Sequence, residues 1–291
     1  MASAVSVEEV SGAAARRRFV DLPHVLSGTD PRFAPLVLAW ERYRLDRHRN
    51  PYLAEGEAVA FLARRGGHPV GRIAAHLPGP DGPGAFGFWW TEDDAEVAAL
   101  LFDAAQEWLG QRGASSMTGP LSFTAEQEAG VLVEGADVPG VTGRPWHPPH
   151  LARLLEQEGF EPTARHPSWR LPADPAPVPV AIPPRPRALT APGPAGPYAD
   201  RRLRLDAIEA VPDVSEELRR PGFGGARRAA RRARSGRWDT AVVVGQPPDP
   251  ATTVPALVEA AGRAGYRWVI APWSPTDAPP ETVHATFTRP L

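Results

Sequence analysis

The chain has 291 residues and a net charge of −2, so it presents no overall field that would attract nucleic acid. It contains no cysteine and no lysine, which excludes disulfides, thiolate nucleophiles, cysteine-held metals and lysine Schiff bases. A hydrophobic content of 42% suffices for a folded core, and no apolar run approaches the about 20 residues of a membrane span. Without a signal-peptide pattern at its start, the sequence predicts a cytoplasmic protein with no membrane partner.

Short strands dominate the first predicted elements. Residues 16–22 (RRRFVDL) predict a strand, and residues 36–45 predict a helix. Three apolar runs then predict three successive strands, at residues 58–63, 70–76 and 86–90. A turn at Gly66-Gly67 separates the first two of these strands.

The clearest helical periodicity lies at residues 94–112. Apolar residues recur there at three- and four-residue spacing and give one apolar face: Val97, Leu100, Leu101, Ala104, Ala105, Trp108 and Leu109. Asp93 with Glu96 resembles a capping box, and Gly113 is a typical residue after a helix end. A strand at residues 115–121 and a helix at residues 150–158 follow.

Proline separates the two halves of the chain. Residues 171–198 are so rich in proline that both helix and central strand are blocked, which predicts a semi-rigid linker. Strands and one helix are predicted after it: strands at 240–244, 266–271 and 282–288, and a helix at 253–264. The order of these elements echoes that of the first half.

We therefore divide the chain into three parts. Residues 1–168 form an N-terminal lobe, residues 169–200 a proline-rich crossover, and residues 201–291 a reduced C-terminal lobe. Because so small a second lobe would hardly bury a core of its own, we expect the lobes to share an interface.

The N-terminal half resembles a family of uncharacterised bacterial proteins related to the GNAT (Gcn5-related N-acetyltransferase) enzymes. Four short blocks carry the resemblance: Arg49-Asn50-Pro51-Tyr52, Phe86-Gly87-Phe88 with Glu92-Asp93-Asp94, Gly119-Pro120 with residues 128–133, and residues 146–150. Longer members carry a second lobe, which looks reduced here. The resemblance implies an α/β fold with a mixed, largely antiparallel twisted sheet flanked by helices.

The resemblance also implies acyl transfer to a small-molecule amine or hydroxyl, with acyl-CoA as the donor. In GNAT enzymes a glycine-rich turn at a helix N-terminus binds the CoA pyrophosphate. Here the matching residues 91–96 (TEDDAE) are acidic and would repel a pyrophosphate, so they predict a self-capped helix instead. Arg219-x-x-Gly222-x-Gly224 fits the glycine pattern literally, but such matches arise by chance in an Arg/Gly-rich chain.

The same resemblance implies that the fourth and fifth strands splay apart into a cleft. Its lining would be Trp89, Trp90, Glu92, Ser122, Glu126 and Glu128. Glu128 is the leading candidate for a general base, and Glu126 beside it would raise the pKa of one of the pair. The alternative is that both are solvated loop acids. Of the two tryptophans, one is expected in the core and one at the cleft.

The proline-fixed segment after Trp146 supplies two further candidates. His147 and His150 suit acid–base chemistry near neutral pH, unless they merely face solvent at the start of a helix. Trp146 is assigned to substrate binding. The eight histidines show no metal-binding spacing, so we expect no metal.

Two other functions remain open. The altered pocket and the acidic turn favour a GNAT scaffold that performs CoA-independent chemistry, such as cyclisation, elimination or hydrolysis. Arginines at residues 219–237 would form a basic helical stripe for RNA or another partner, although the sequence makes nucleic acid an unfavoured partner. A homodimer is compatible with the sequence.

Overall fold

The computed structural model describes residues 4–34, 38–77, 83–123, 128–173, 203–205, 208–213, 215, 240–244, 250–272, 274 and 277–291. Its helices are α1 (Gly12–Ser27), α2 (Leu38–Arg44), α3 (Pro51–Glu55), α4 (Ala95–Gly110), α5 (His150–Gln157) and α6 (Pro250–Arg263). Its first seven strands are β1 (Val5–Glu9), β2 (Glu57–Arg65), β3 (His68–Leu77), β4 (Gly84–Thr91), β5 (Ser116–Gly119), β6 (Val131–Glu134) and β7 (Glu161–Pro172). The others are β8 (Leu203–Leu205), β9 (Ile208–Pro212), β10 (Thr240–Val244), β11 (Trp268–Ala271) and β12 (Thr282–Pro290).

All twelve strands belong to one sheet, in the order β1-β2-β3-β4-β5-β12-β7-β11-β10-β9-β8, with β6 paired to β12. Two neighbouring pairs, β4 with β5 and β10 with β11, are parallel, and the other pairs are antiparallel. The expected mixed, largely antiparallel sheet is therefore confirmed.

The C-terminal strand β12 lies inside the part of the sheet that the first half of the chain builds. It pairs with β5 on one side and with β7 on the other, where Ala285 is opposite Arg165. The far end of β7, from Trp169 to Pro172, pairs with β11 instead. One long strand thus joins the two halves of the sheet.

Helix α4 covers one face of this sheet, as its periodicity predicted. Its inward residues Val97, Leu101, Phe102, Ala105 and Leu109 are all buried. Asp94 caps the helix by accepting hydrogen bonds from the N–H groups of Glu96 and Val97. The predicted self-capped helix is confirmed, but its cap is Asp94 and not Asp93, which the sequence pattern favoured.

Helix α1 covers the opposite face and corrects one prediction. Residues 16–22, which predicted a strand, lie inside this helix. Phe19 and Leu22 are both fully buried and stand three residues apart, which is a helical spacing. In so short a segment the apolar residues fit the period of a helix as well as that of a strand, so the sequence pattern could not distinguish the two.

Strands β4 and β5 do not splay apart at the level of Phe88. The N–H of Leu121 donates to the carbonyl of Phe86 at 2.6 Å. The N–H of Phe88 donates to the hydroxyl of Ser122 at 3.1 Å. The cleft expected between these strands is therefore closed here, by the backbone at Leu121 and by the Ser122 side chain.

Most of the predicted crossover and the arginine-rich residues 219–237 lie outside the described residues. Residues 169–172, which were assigned to the crossover, form the end of β7.

The close contact between β4 and the segment after β5 generates a stability prediction. A Cβ at Gly87 would lie 2.0 Å from the carbonyl oxygen of Leu121, which cannot move without breaking its own hydrogen bonds. We expect Gly87→Ala to lower the free energy of unfolding by about 1–3 kcal/mol, the usual cost of overpacking. Gly110→Ala on α4 meets nothing within 4 Å and serves as the control in urea denaturation. Equal stability of the two variants would contradict this packing.

Candidate functional site

A buried arginine joins two acids that are far apart in sequence. Arg44, the last residue of α2, has a side chain only 1% exposed. One of its amino groups donates to Glu41 at 2.5 Å and the other to Glu128 at 2.8 Å. Its guanidinium also lies 4.4 Å from the centre of the Phe88 ring. Glu128, the leading candidate of the sequence, is thus held in place by a charge that the sequence analysis did not anticipate.

A second buried arginine, Arg72, lies in the middle of β3 directly opposite Trp90 of β4. It donates to the carbonyl of Phe19 at 2.7 Å and forms no ion pair within the described residues. Burial lowers the pKa of Arg72 to about 10, and the charges of Glu41 and Glu128 partly offset this shift. We call Glu41, Arg44, Arg72 and Glu128 the arginine–glutamate cluster. Two negative and two positive charges balance in it.

The cluster does not satisfy all of its polar atoms. Three of them are buried and have no hydrogen-bond partner among the described residues: Oε2 of Glu41, Nε of Arg44 and Nε of Arg72. Such atoms are rare in folded proteins because each costs about 1–3 kcal/mol. Two unpaired donors and one unpaired acceptor fit a polar ligand or water at this site.

Glu128 is ionised at neutral pH. Burial raises the pKa of its carboxyl group, but the charge and hydrogen bond of Arg44 outweigh burial and hold the pKa below its usual range. The backbone carbonyl of Glu128 accepts the N–H of Ser122 at 2.9 Å, which ties the residue to the end of β5. The arrangement gives a fixed carboxylate that accepts hydrogen bonds.

His147 is buried beside this carboxylate and is neutral. Its Nδ1 accepts the N–H of Leu132 at 3.2 Å, and burial lowers its pKa to about 4. Since Nδ1 is the acceptor, the single proton of the neutral ring lies on Nε2. The ring is 5.1 Å from that of Trp90, whose indole N–H donates to the Ser27 hydroxyl. His147 is therefore placed to donate a hydrogen bond, not to accept a proton.

A third buried group comes from the C-terminal strand. His284 of β12 lies with its ring 5.7 Å from that of His147 and donates through Nε2 to the carbonyl of Pro145. Burial lowers the pKa of His284 to about 3. The site is consequently built from both halves of the chain.

Four of the predicted site residues have other roles. His150 donates to the carbonyl of Thr91, and Glu92 pairs with Arg65. Trp89 packs in the core on the α4 side, against Phe102, and Trp146 donates to the carbonyl of Ala136. No hydrogen bond, ion pair or ring contact joins these four to Glu128 or His147. Glu126 lies outside the described residues.

The structure thus brings together Glu128, His147, Trp90 and Ser122 of the predicted set. It adds Glu41, Arg44, Arg72 and His284, which sequence reasoning missed. Arg72 offered a signal, because it interrupts an otherwise apolar strand and a buried charge needs partners. Arg44 and Glu41 offered a weaker one, their three-residue spacing on a helix. His284 offered none.

The start of α4 does not fit a CoA pyrophosphate. The carboxylate of Asp94 already accepts the N–H groups of Glu96 and Val97, at 2.8 and 3.3 Å. Arg65 is paired with both Asp94 and Glu92. The backbone donors that would bind a phosphate are thus occupied by a side chain of the same sign of charge.

Over the described stretches, no cluster of three histidines or acids is arranged to hold a metal ion. The helices in those stretches are all too short or too polar to cross a membrane.

The Arg44 ion pairs generate a stability prediction. Arg44→Met leaves the buried carboxylate of Glu41 and the partly buried carboxylate of Glu128 without their cation, so we expect a loss of about 3 kcal/mol in the free energy of unfolding. Arg42→Met, at an exposed position of the same helix, serves as the control and should change stability by less than about 0.5 kcal/mol. Chemical denaturation measures both. A loss no greater than that of the control would mean that the two glutamates are solvated.

The three buried histidines generate a pH prediction. Burial lowers the pKa of His76 and His147 to about 4 and that of His284 to about 3. Between the ordinary histidine pKa near ~6.5 and these values, only the unfolded chain binds the protons, so stability falls as the pH falls. Each histidine should contribute a slope of about 1.4 kcal/mol per pH unit.

Urea denaturation at several pH values between about 6.5 and 4 measures this slope. His284→Gln should reduce it by about one histidine's contribution, whereas a change at the exposed His48 serves as the control. A stability that does not change over this pH range would contradict the burial of these rings.

No family model matches the chain. It is 34% identical over 163 residues to a bacterial ceramide synthase of Caulobacter vibrioides, a match that covers 54% of this chain and 42% of that protein. It is 33% identical over 156 residues to protein YghO of Escherichia coli, covering 50% of this chain and 40% of that protein. Each match thus spans less than half of the relative's length.

Solved structures extend the likeness to the whole chain. A tandem GNAT protein from the clavulanic acid biosynthesis pathway aligns with 99% of this chain and 98% of its own, at 12% identity and a TM-score of 0.50. A GCN5-related glucosamine N-acetyltransferase region of a fungal multi-domain β-N-acetylglucosaminidase aligns with 99% of this chain and 38% of its own, at 13% identity and a TM-score of 0.52. The chain has the GNAT fold, in a tandem-lobe form.

Proposed function

We propose that the protein transfers an acyl group from a thioester to the amine of a small molecule. The observation that carries the proposal is the ionised Glu128, fixed by Arg44 beside the neutral N–H donor of His147. The GNAT fold supports acyl transfer as the reaction class. The name of the Caulobacter relative, a ceramide synthase, supports an amine as the acceptor, since a ceramide is an amide.

In this proposal, Glu128 binds the acceptor as an ammonium ion and orients it. The amine loses a proton to water and attacks the carbonyl carbon of the thioester. As the C–N bond forms, the nitrogen becomes far more acidic and gives its second proton to Glu128, so a carboxylate with a low pKa suffices. The C–S bond then breaks, and the leaving thiolate takes up the proton that Glu128 received, which restores the carboxylate.

His147 has a separate part in the proposed reaction. Its Nε2–H would donate to the oxygen of the thioester carbonyl, where negative charge develops during attack. A neutral donor fits this part, because it can stabilise the oxyanion without giving up its proton. Burial, which lowers the pKa of His147 to about 4, keeps the ring neutral at working pH.

The thioester donor is proposed to bind without a pyrophosphate at the start of α4. Asp94 occupies the backbone donors there, as described above. The donor would then be recognised through its acyl and thioester end. The nucleotide of acyl-CoA, the donor that the fold implies, then takes no part in the reaction steps.

A second candidate function follows from the same observations. The closed contact of Phe88 with Ser122 and the acid-capped α4 also suit a scaffold that performs CoA-independent chemistry on a small metabolite. Glu128 would then act on a substrate that carries no thioester. Acceptance of hydroxyl groups, a homodimeric state and binding of RNA through the arginine-rich residues remain predictions of the sequence.

Glu128→Gln tests the proposed function. The change keeps the shape of the side chain and removes its charge, so we expect kcat for thiol release from an acyl thioester, assayed with a panel of primary amines, to fall about 10²–10⁴-fold. Glu134→Gln, at an exposed residue paired with Arg165, is the control and should retain full activity.

Thermal melting of both variants separates lost chemistry from lost folding. Unchanged amine-dependent thiol release in a folded Glu128→Gln variant would remove Glu128 from the reaction. Thiol release that never depends on an amine, together with Glu128-dependent turnover of another metabolite, would favour the second candidate.

A further inference from the structure

An open pocket lies between the sheet and the first three helices, next to the site but separate from it. Its volume is about 160 Å³. Three alanines of the sheet line one side of the pocket: Ala58, Ala60 and Ala74. The rest of its apolar lining is Val10, Leu45, Leu53, Val59 and Phe123. The pocket is open at this point because the three alanine side chains are only methyl groups and leave the space above the sheet unfilled. We call it the alanine pocket.

The rim of the alanine pocket is mainly basic. Arg16 and Arg47 lie at its mouth, together with one acid, Glu9. In the described parts of the chain neither arginine has an acidic partner, and Arg47 donates only to the carbonyl of Ala58. The pocket thus combines aliphatic and aromatic side chains in its wall with two cations that have no acidic partner among the described residues. Such a lining is complementary to a small molecule that has an apolar part and a negative charge.

The volume limits what the pocket accepts. An apolar cavity of about 150 Å³ in another protein accepts benzene, so the alanine pocket has room for an apolar group of about six carbons. Longer chains would extend into solvent and gain little. The volume of the pocket therefore limits the size of the apolar group of a ligand, and the two arginines favour a ligand whose other end carries a negative charge.

The alanine pocket is connected to the candidate site through two aromatic rings. Phe123 lines the pocket and lies with its ring 5.1 Å from that of Phe88. Phe88 in turn lies under the guanidinium of Arg44, which holds Glu128. A ligand in the pocket would thus contact the wall that separates it from the arginine–glutamate cluster.

We propose that the alanine pocket binds a small molecule with a chain or ring of about six carbons and an anionic group. Because the rings of Phe123 and Phe88 lie between the pocket and the arginine–glutamate cluster, this ligand is distinct from the acyl acceptor, and its binding does not rest on the proposed acyl transfer. A carboxylate and a phosphate ester share the required charge, and the experiment below distinguishes them.

NMR titration of the full chain with straight-chain carboxylates tests the proposal. From butanoate to hexanoate, each added methylene should tighten binding about fourfold, and longer chains should add little. Hexanol should bind several-fold more weakly than hexanoate. If hexyl phosphate and hexanoate bind with equal affinity, the pocket recognises the negative charge and not the type of headgroup. If one of the two binds more tightly, its headgroup is the one that the pocket recognises. An affinity independent of chain length would overturn the proposal.

Variants with matched controls locate the binding. Ala60→Leu fills the pocket and should weaken hexanoate at least tenfold, whereas Ala13→Leu, at an exposed position of α1, should not. Arg16→Gln with Arg47→Gln should weaken hexanoate but not hexanol, with Arg18→Gln as the control. Unaffected binding in Ala60→Leu would place the ligand elsewhere.

The outcome is independent of the proposed reaction. The titration needs no thioester, so a failure of hexanoate to bind would not bear on amine-dependent thiol release. Conversely, if acyl transfer is disproved, the alanine pocket can still bind hexanoate, and its ligand then serves another purpose.

Discussion

The insertion of β12 between β5 and β7 is the constraint on which the rest of the structure depends. This C-terminal strand pairs with β5, β6 and β7, so it satisfies backbone groups on both sides. Without it, β5 and β7 would each end in a row of unpaired N–H and carbonyl groups. The first half of the chain therefore cannot complete its sheet alone, and a C-terminal truncation would disturb residues far from the cut.

The same strand reaches the candidate site. His284 packs on His147 and binds the carbonyl of Pro145, which fixes the segment that leads into α5. Arg44 holds the Glu128 side of the site in place, through a hydrogen bond between residues 84 positions apart in the chain. Buried and partly buried ion pairs add little net stability compared with apolar residues, but they penalise any arrangement that separates the charges. Here they hold one carboxylate and one imidazole in a single geometry.

Several local features of the fold were predictable from the sequence, although residues 16–22 were wrongly predicted as a strand, and the long-range features were not predictable. Helix α4 shows its period in the sequence, although its cap is one residue later than the predicted Asp93, and β2 and β3 show their turn at Gly66-Gly67. The position of β12 depends on pairing with strands more than a hundred residues away, for which a single sequence carries no local signal. The division into lobes stays a prediction, although β7 crosses the boundary at residue 168 as one continuous strand.

The candidate site was predicted in part, for the same reason. Glu128 and His147 stood out through residue type and family resemblance. Glu92 and His150 stood out equally, and only their contacts with Arg65 and Thr91 show that they have structural partners. Arg44 was missed because an exposed and a buried arginine look the same in a sequence.

The central claim is acyl transfer from a thioester without recognition of a pyrophosphate at α4. The most direct test compares kcat/KM for acetyl-CoA with that for S-acetylpantetheine, which has the same thioester and lacks the nucleotide diphosphate. Since Asp94 occupies the phosphate-binding donors of α4, the account predicts values within a few-fold of each other. A strong preference for acetyl-CoA, of about 100-fold or more, would correspond to about 2.7 kcal/mol of nucleotide recognition and contradict it.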